Sequence, residues 1–220
     1  MKTAAVIIFL AGVFVFLYPE IEEYTTDSEQ KQLMDDWDKE QIAPSEIDVN
    51  NDVKERYMEL NNIFDRDEEN PAVEDESDES SDQKNHSRPS TIGVLRIPAI
   101  DAELPVVEGA TEENLRTAAG HLEGTALLGK KGNSAIAAHR SHTHGRMFNR
   151  LDEVEDGDDI VIEDETGEKT YSVFNKTVVS PNDTSVLTQD TDGEAIVTLI
   201  TCTPMKNPTH RLIVQGKYKE

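Results

Sequence analysis

The chain has 220 residues, of which 45 are acidic and 21 basic, so its formal net charge at pH 7 is −24. This length suffices for one folded domain with extensions. The charge argues against nucleic acid or an anionic surface as a partner, because phosphates would repel the protein. It fits a protein that functions outside the cell or at high salt concentration. A single cysteine, Cys202, excludes any intramolecular disulfide, so the fold must depend on its core.

The N-terminus carries 15 apolar or aromatic residues from Ala4 to Tyr18, preceded by Lys2. A helix of this length spans about 22 Å, short of the roughly 30 Å of membrane hydrocarbon, which leaves a signal peptide or an anchor. No small-residue cleavage site follows it. We therefore expect residues 1–18 to be an uncleaved, single-pass signal anchor that holds an extracellular domain at the cell membrane, with a cleaved signal peptide as the alternative.

Residues 19–90 form an acidic stalk with 24 acidic and 7 basic side chains. Two pieces of it have apolar residues at helical spacing, which predicts amphipathic helices that either dock on the next domain or remain solvated. Residues 74–82 have no apolar content and are expected to be a disordered tether. The apolar residues at helical spacing are Leu33, Met34 and Trp37, then Val53, Tyr57, Leu60 and Phe64.

Residues 91–220 are predicted to be the folded domain, because β-branched runs alternate there with turn signals. Short strands at this spacing favour a mostly β fold, a closed or nearly closed barrel or a sandwich. Thr111 before two glutamates predicts one short helix, Glu112–Ala119. The predicted strands are Ile92–Ile97, Leu104–Val107, Ser134–Ala138, Asp159–Glu163, Lys169–Val179, Ala195–Thr201 and Arg211–Tyr218.

The lone cysteine ends one predicted strand, and Arg211 begins the next. If these strands pair as antiparallel neighbours, the thiol and the guanidinium lie side by side. A cysteine nucleophile also needs a base or a positive neighbour. His139 is the best placed, since a buried strand would deliver it to a strand end, although a structural histidine is the alternative.

Other histidines and arginines near these strands have simpler interpretations. His139, His142 and His144 with Cys202 would offer a nitrogen and sulfur set for zinc, but the spacing matches no common zinc pattern, and no metal is predicted. The remaining expectations are a structural His121, a His210 that lines the site, a His86 in the tether, and surface charges at Arg140 and Arg146.

Four segments together resemble the sortases, the Gram-positive transpeptidases that attach surface proteins to the cell wall. The similarity covers about Ile92 to Tyr218 and implies a closed antiparallel sortase-type β-barrel. The order histidine, cysteine, arginine is also that of the family. The segments are Thr198–Pro204 (TLITCTP), Thr209–Gly216 (THRLIVQG), Gly120–Thr125 (GHLEGT) and Ala137–Arg140 (AAHR).

The resemblance implies a role for each matching residue. Cys202 resembles the nucleophile, His139 the general acid or base, and Arg211 the group that positions substrate and stabilises the oxyanion. Thr201 resembles a substrate-contact position, although it can also be read as an ordinary β-branched strand residue. His210 is predicted to bind substrate because it lies next to Arg211 and lines the site. No cofactor and no metal are implied.

The implied activity is cleavage of an LPxT-like sorting signal after threonine, through a thioester on Cys202, and transfer of the acyl group to an amine of the peptidoglycan precursor. Arg140–Leu151 and Cys202–Met205 look most similar to class D sortases of bacilli. Pieces of the signature also occur in class C, so a pilin polymerase is one alternative. The other is a non-catalytic, acidic cell-wall-associated binding module in which Cys202 is a core residue.

A further hypothesis concerns the predicted helix just upstream of the domain. The apolar stripe of Val53–Phe64 suggests that this helix covers the substrate groove. The predicted organisation is therefore an anchor at residues 1–18, an acidic stalk at 19–90 and a catalytic domain at 91–220.

Overall fold

The computed structural model describes residues 27–39, 53–69, 90–141, 143 and 145–219. The predicted anchor at residues 1–18 and the predicted tether at 74–82 lie outside these residues. Within the described ranges, no helix is long and apolar enough to cross a membrane. The predicted localisation as a single-pass membrane protein is corrected on this finding.

Eight strands form a closed barrel in the order β1-β2-β3-β4-β7-β8-β6-β5. Most neighbours are antiparallel, but β2 pairs with β3 and β4 with β7 in parallel. The antiparallel barrel predicted from the sequence is thus closed as expected but mixed, because these two pairs are joined by crossover connections and not by hairpins. The strands are β1 (Thr91–Ile97), β2 (Ala102–Glu108), β3 (Ala119–His121), β4 (Gly132–Ala137), β5 (Asp159–Asp164), β6 (Gly167–Val179), β7 (Ala195–Thr203) and β8 (His210–Tyr218).

The predicted strands are all present within two residues of their expected ends, and β3 is the strand that was missed. The predicted helix Glu112–Ala119 is shorter and becomes α3 (Glu112–Leu115), capped by Thr111 Oγ1, which accepts from the Asn114 amide at 3.2 Å. Ala119 pairs instead with Val106 of β2. A three-residue strand is too short to show alternation, so no hydrophobic period marks β3 in the sequence.

Both helices predicted in the acidic segment are present as α1 (residues 27–39) and α2 (Val53–Glu69). Both dock on the barrel. Leu33 of α1 packs with Val107 and Ala118, while the α2 stripe containing Tyr57 and Phe64 is buried. Of the two alternatives for these segments, docking is the one that the structure bears out.

Strand alternation gives the barrel two cores. Along β7, Val197 and Leu199 face the barrel interior, whereas Ile200 and Cys202 face an outer cluster that α2 covers. The continuous apolar run in β7 follows from this arrangement, because both faces of the strand are buried. We call the surface beneath α2 the outer face; its barrel members are Leu115, Leu122, Ala135, Ala137, Val186, Leu187, Ile200, Cys202 and Ile213.

Gly120 of β3 lies very close to the backbone of the turn before α3. A Cβ added there would lie 2.6 Å from Ala110 Cα and 2.8 Å from the Gly109 carbonyl oxygen, both backbone atoms. We expect Gly120→Ala to lower the free energy of unfolding by about 1–3 kcal/mol, because the backbone must shift to admit the methyl group. Urea denaturation measures this, and an unchanged midpoint with an unchanged slope would contradict it.

Candidate active site

Cys202 and Arg211 face each other across the β7–β8 pair. The antiparallel register pairs Cys202 with Arg211 and Ile200 with Ile213. Residues opposite one another in such a pair point to the same side of the sheet. The side-by-side placement of thiol and guanidinium predicted from the two strands is therefore confirmed as strand geometry, and both side chains lie on the outer face.

His139 reaches the same place from β4. The parallel register of β4 and β7 ends with Ala137 opposite Ile200, and the Ala138 amide extends it by donating to the Ile200 carbonyl at 3.2 Å. Two residues beyond Ala137, the same register brings His139 level with Cys202. Three neighbouring strands, β4, β7 and β8, thus deliver histidine, cysteine and arginine in a row.

Phe64 of α2 contacts two members of this row at once. Its ring meets the His139 ring edge to face with centroids 5.4 Å apart, and the Arg211 Cζ lies 5.4 Å from the Phe64 centroid. Cys202, only 6% exposed, belongs to the same apolar cluster as Phe64. A single aromatic side chain therefore covers the point where the three groups converge.

The Arg211 guanidinium is fully buried and bonded mainly to α2. Its Nε donates to Asn61 Oδ1 at 2.6 Å, and its Nη2 donates to Asp65 Oδ1 at 2.8 Å and to the Asn61 carbonyl at 3.4 Å. Its Nη1 donates to the His210 carbonyl at 3.2 Å. A buried cation needs such acceptors, because leaving it uncompensated costs several kcal/mol. Three of these four contacts come from α2.

The contact between α2 and the outer face is imperfect. Tyr57 is fully buried, yet its hydroxyl has no hydrogen-bond partner among the described residues. Burial raises the pKa of Tyr57 to about 12 even though nearby Arg211 acts in the opposite direction, so the phenol stays neutral near pH 7. A cavity of about 310 Å³ also remains beside the helix. It is lined by Arg56, Glu59, Asn62, Ile63, Arg66, Ala110, Thr111, Glu112, Leu122 and Glu123.

The two predicted substrate-binding residues, Thr201 and His210, directly precede Cys202 and Arg211 in the sequence. Thr201 is buried, and its hydroxyl donates to the Ala138 carbonyl at 2.8 Å, so it joins β7 to β4 and does not project from the outer face. His210 is exposed at the start of β8, opposite Thr203, with its Nδ1 2.8 Å from Thr209 Oγ1.

Arg140 was expected to be a surface charge, and that prediction is wrong. Its side chain is 8% exposed; Nη2 lies 2.7 Å from Asp152 Oδ1, and Nη1 donates to Thr203 Oγ1 at 3.1 Å. Arg146, also expected at the surface, is 19% exposed and pairs with Asp27 of α1 at 3.3 Å. The position of Arg140 directly after His139 could have indicated its burial, because a residue bonded to a catalytic candidate lies beside the same site.

Asn61 and Asp65 were also missed by sequence reasoning. They lie four and eight residues after Tyr57, on the helix face that docks, so the spacing that predicted an apolar stripe also placed them against the barrel. Asp65 is 61% exposed and reaches Arg211 with one carboxylate oxygen, whereas Asn61 is buried and, like any buried polar group, requires partners. That requirement pointed to a charged group beneath the helix.

Among the histidines that the structure describes, His121 lies apart from this row. His121 is buried with Nδ1 3.0 Å from Glu108 Oε1 and Nε2 2.9 Å from the Ala126 carbonyl, a structural role as predicted. His86, His142 and His144 lie outside the described residues. In the part of the chain that the structure covers, no group of three or more His, Cys, Asp or Glu side chains is arranged to hold a metal ion.

Comparison with known proteins identifies the family. The sortase domain family model matches residues 95–219. Sortase A of Bacillus anthracis is 34% identical over 125 residues, 57% of this chain and 58% of the relative. Sortase D of Bacillus subtilis is 34% identical over 128 residues, 57% of this chain and 62% of the relative. The matches thus span about three fifths of the length of these relatives.

Solved sortase structures share the architecture. Sortase C of Streptococcus pneumoniae, studied for its catalysis and pilin substrate specificity, superposes with a TM-score of 0.57 at 32% identity, covering 77% of this chain and 88% of that one. A lid mutant of sortase A from Corynebacterium diphtheriae gives a TM-score of 0.57 at 27% identity, covering 76% and 94%. The resemblance found in the sequence is confirmed: the chain belongs to the sortase family.

Proposed function

We propose that this protein is a sortase-type cysteine transpeptidase in which Cys202 is the nucleophile, His139 the general acid and base, and Arg211 the group that binds substrate and stabilises the oxyanion. The observation that carries the proposal is the row of three side chains on β4, β7 and β8. Cys202 faces Arg211 in register, and Phe64 contacts both His139 and Arg211.

In the proposed acylation, the Cys202 thiolate attacks the carbonyl carbon of the threonine in an LPxT-like sorting signal. The carbonyl oxygen takes up negative charge, which the planar Arg211 fork stabilises by hydrogen bonds without transferring a proton. The bond from carbonyl carbon to nitrogen then breaks as His139 protonates the departing amine. The products are a thioester on Cys202 and a free amino terminus.

In the second half-reaction, an amine attacks the thioester carbonyl while His139 accepts its proton. The bond from carbon to sulfur breaks, Cys202 returns as thiolate, and a new amide joins the surface protein to the acceptor. A peptidoglycan-precursor amine is the proposed acceptor, which would anchor surface proteins to the cell wall. The superposition on a sortase C with pilin specificity favours a second candidate acceptor, a lysine of another protein, as in pilin polymerisation.

We further propose that α2 closes this site. The outer face is apolar, extends from the row of three side chains and is filled by Leu60 and Phe64, while Asn61 and Asp65 hold three of the Arg211 contacts. A peptide that presents its carbonyl to Arg211 needs the same donors and the same surface. Peptide and docked α2 therefore exclude each other, and turnover requires α2 to leave.

Substitutions in the row test the chemistry. Cys202→Ala should abolish cleavage of an LPxT peptide, because no other thiol is present. Arg211→Lys should lower kcat by about 100-fold or more, since an ammonium cannot reproduce the fork at the oxyanion. Peptide cleavage followed by mass spectrometry measures both. Cleavage by Cys202→Ala would end the proposal, and full rate in Arg211→Lys would remove Arg211 from the mechanism.

Substitution of Asp65 tests closure by α2. Asp65 is 61% exposed, so solvent screens its pair with the buried Arg211. Because Asn61 and the His210 carbonyl still hold the guanidinium, we expect loss of this one contact to weaken docking by about 1 kcal/mol. We expect Asp65→Ala to raise kcat/KM by about two- to fivefold, because more molecules are open. Met58→Ala is the matched control, since Met58 is 51% exposed on the solvent side of the same helix. Equal rates for wild type and Asp65→Ala would count against closure.

Substitution of Tyr57 should stabilise the docked state of α2, whereas substitution of Asp65 should weaken it. Tyr57→Phe removes a buried hydroxyl that has no partner among the described residues, and such a group costs about 1–3 kcal/mol. The closed state should gain stability, so the melting temperature should rise and kcat/KM should fall severalfold. Differential scanning calorimetry and peptide turnover test this together. A lower melting temperature would show that the hydroxyl is satisfied and would contradict the account.

A further inference from the structure

We propose that Arg140 is a positioning residue that fixes the His139 imidazole relative to the Cys202 sulfur. Arg140 directly follows His139 in the chain, and Thr203 directly follows Cys202. The Arg140 Nη1 donates to Thr203 Oγ1 at 3.1 Å. One hydrogen bond thus joins the two residues that come after the general base and the nucleophile.

A second bond joins the residues that come before them. Thr201 Oγ1 donates to the Ala138 carbonyl at 2.8 Å. His139 is therefore held on both sides by residues of β7, and those residues are the two neighbours of Cys202. Because both connections link the same two strands, they limit sliding and separation of the two strand ends, and with them the distance between imidazole and sulfur.

The Arg140 guanidinium is itself held firmly. Nη2 lies 2.7 Å from Asp152 Oδ1 in the 3₁₀ turn Leu151–Glu153, and Nε donates to the Asn149 carbonyl at 3.4 Å. Its side chain is 8% exposed. A planar fork with donors in several directions can make all three contacts at once, which a lysine cannot. None of these three partners belongs to the outer face, so Arg140 acts through His139 and Thr203.

The inference rests on the proposed function for its kinetic readout. In the full chain, Arg140→Gln should lower kcat by about 10- to 100-fold, because a shift of about 1 Å at a reacting group costs that much. KM for the peptide should stay within about twofold, since the outer face is untouched. Thr203→Val should give the same signature, and Thr203→Ser, which keeps the hydroxyl, should restore the rate.

The double variant Arg140→Gln/Thr203→Val separates this role from general damage. If both residues act through one hydrogen bond, the double variant should be no slower than Arg140→Gln alone. Arg150→Gln is the matched control: Arg150 pairs with Glu153 of the same 3₁₀ turn and donates to the Ile100 carbonyl at 3.0 Å, and neither partner belongs to β7. Arg150→Gln should leave kcat unchanged.

A thiol assay keeps the inference independent of peptide turnover. Arg211 of β8 faces Cys202 in register, Tyr57 of α2 interacts with it electrostatically, and the β4–β7 register brings His139 level with it. If Arg140→Gln displaces His139, the pH midpoint for iodoacetamide alkylation of Cys202 should move upward, because a cationic partner is lost. Arg150→Gln should keep the wild-type midpoint.

These outcomes distinguish the two proposals. A wild-type chain that cleaves no sorting-signal peptide would overturn the proposed function, while a shifted alkylation midpoint in Arg140→Gln would still support the positioning role. Unchanged kcat and midpoint in Arg140→Gln, a change confined to KM, or additive losses in the double variant would overturn the positioning role.

Discussion

The buried guanidinium of Arg211 is the constraint on which the rest of the site depends. A fully buried cation is tolerated only when acceptors surround it, and here α2 supplies most of them through Asn61 and Asp65. The same donors are those that an oxyanion would use in acyl transfer. A group that must always be paired can be paired with the protein's own helix or with a substrate, and these are the closed and open states of the proposed enzyme.

The barrel produces this site through strand order and alternation. A parallel β4–β7 pair beside an antiparallel β7–β8 pair brings three strand ends together. His139, Cys202 and Arg211 are therefore neighbours, although the first and the last are 72 positions apart in the sequence. Alternation turns Cys202 and Arg211 outward, onto a face apolar enough to bind a helix stripe or an extended peptide. The docked helix leaves one buried hydroxyl without a partner among the described residues and a cavity at its edge. In the proposed closure, both defects would lower the cost of exchanging the helix for a peptide.

The sequence predicted the elements that have a strong local period. The apolar run ending at Cys202 and the second run beginning at Arg211 were enough to pair β7 with β8, because both strands are long and buried. The stripe containing Tyr57 and Phe64 likewise predicted α2. Strand β3 was not predicted, because three residues are too few to show a hydrophobic period. Its pairing with β2 is a tertiary contact that the local sequence does not indicate.

Charges inside the site were harder to predict, because their burial is decided by partners distant in sequence. Arg140 looks like any loop arginine until Thr203 and Asp152 are brought to it. Asp65 looks like one more carboxylate in an acidic segment until α2 docks over Arg211. Local sequence specifies neither contact, although both residues adjoin positions that the sequence did single out.

The proposed mechanism requires α2 and the substrate to compete for Arg211 and the outer face. Hydrogen–deuterium exchange of the full-length Cys202→Ala chain, with and without a saturating LPxT peptide, tests it directly, because this variant binds without turning over. If they compete, the α2 amides, residues 53–69, should exchange faster when peptide is bound, with exchange in β7 and β8 unchanged or slower. Bound peptide with α2 protection unchanged or increased would contradict it.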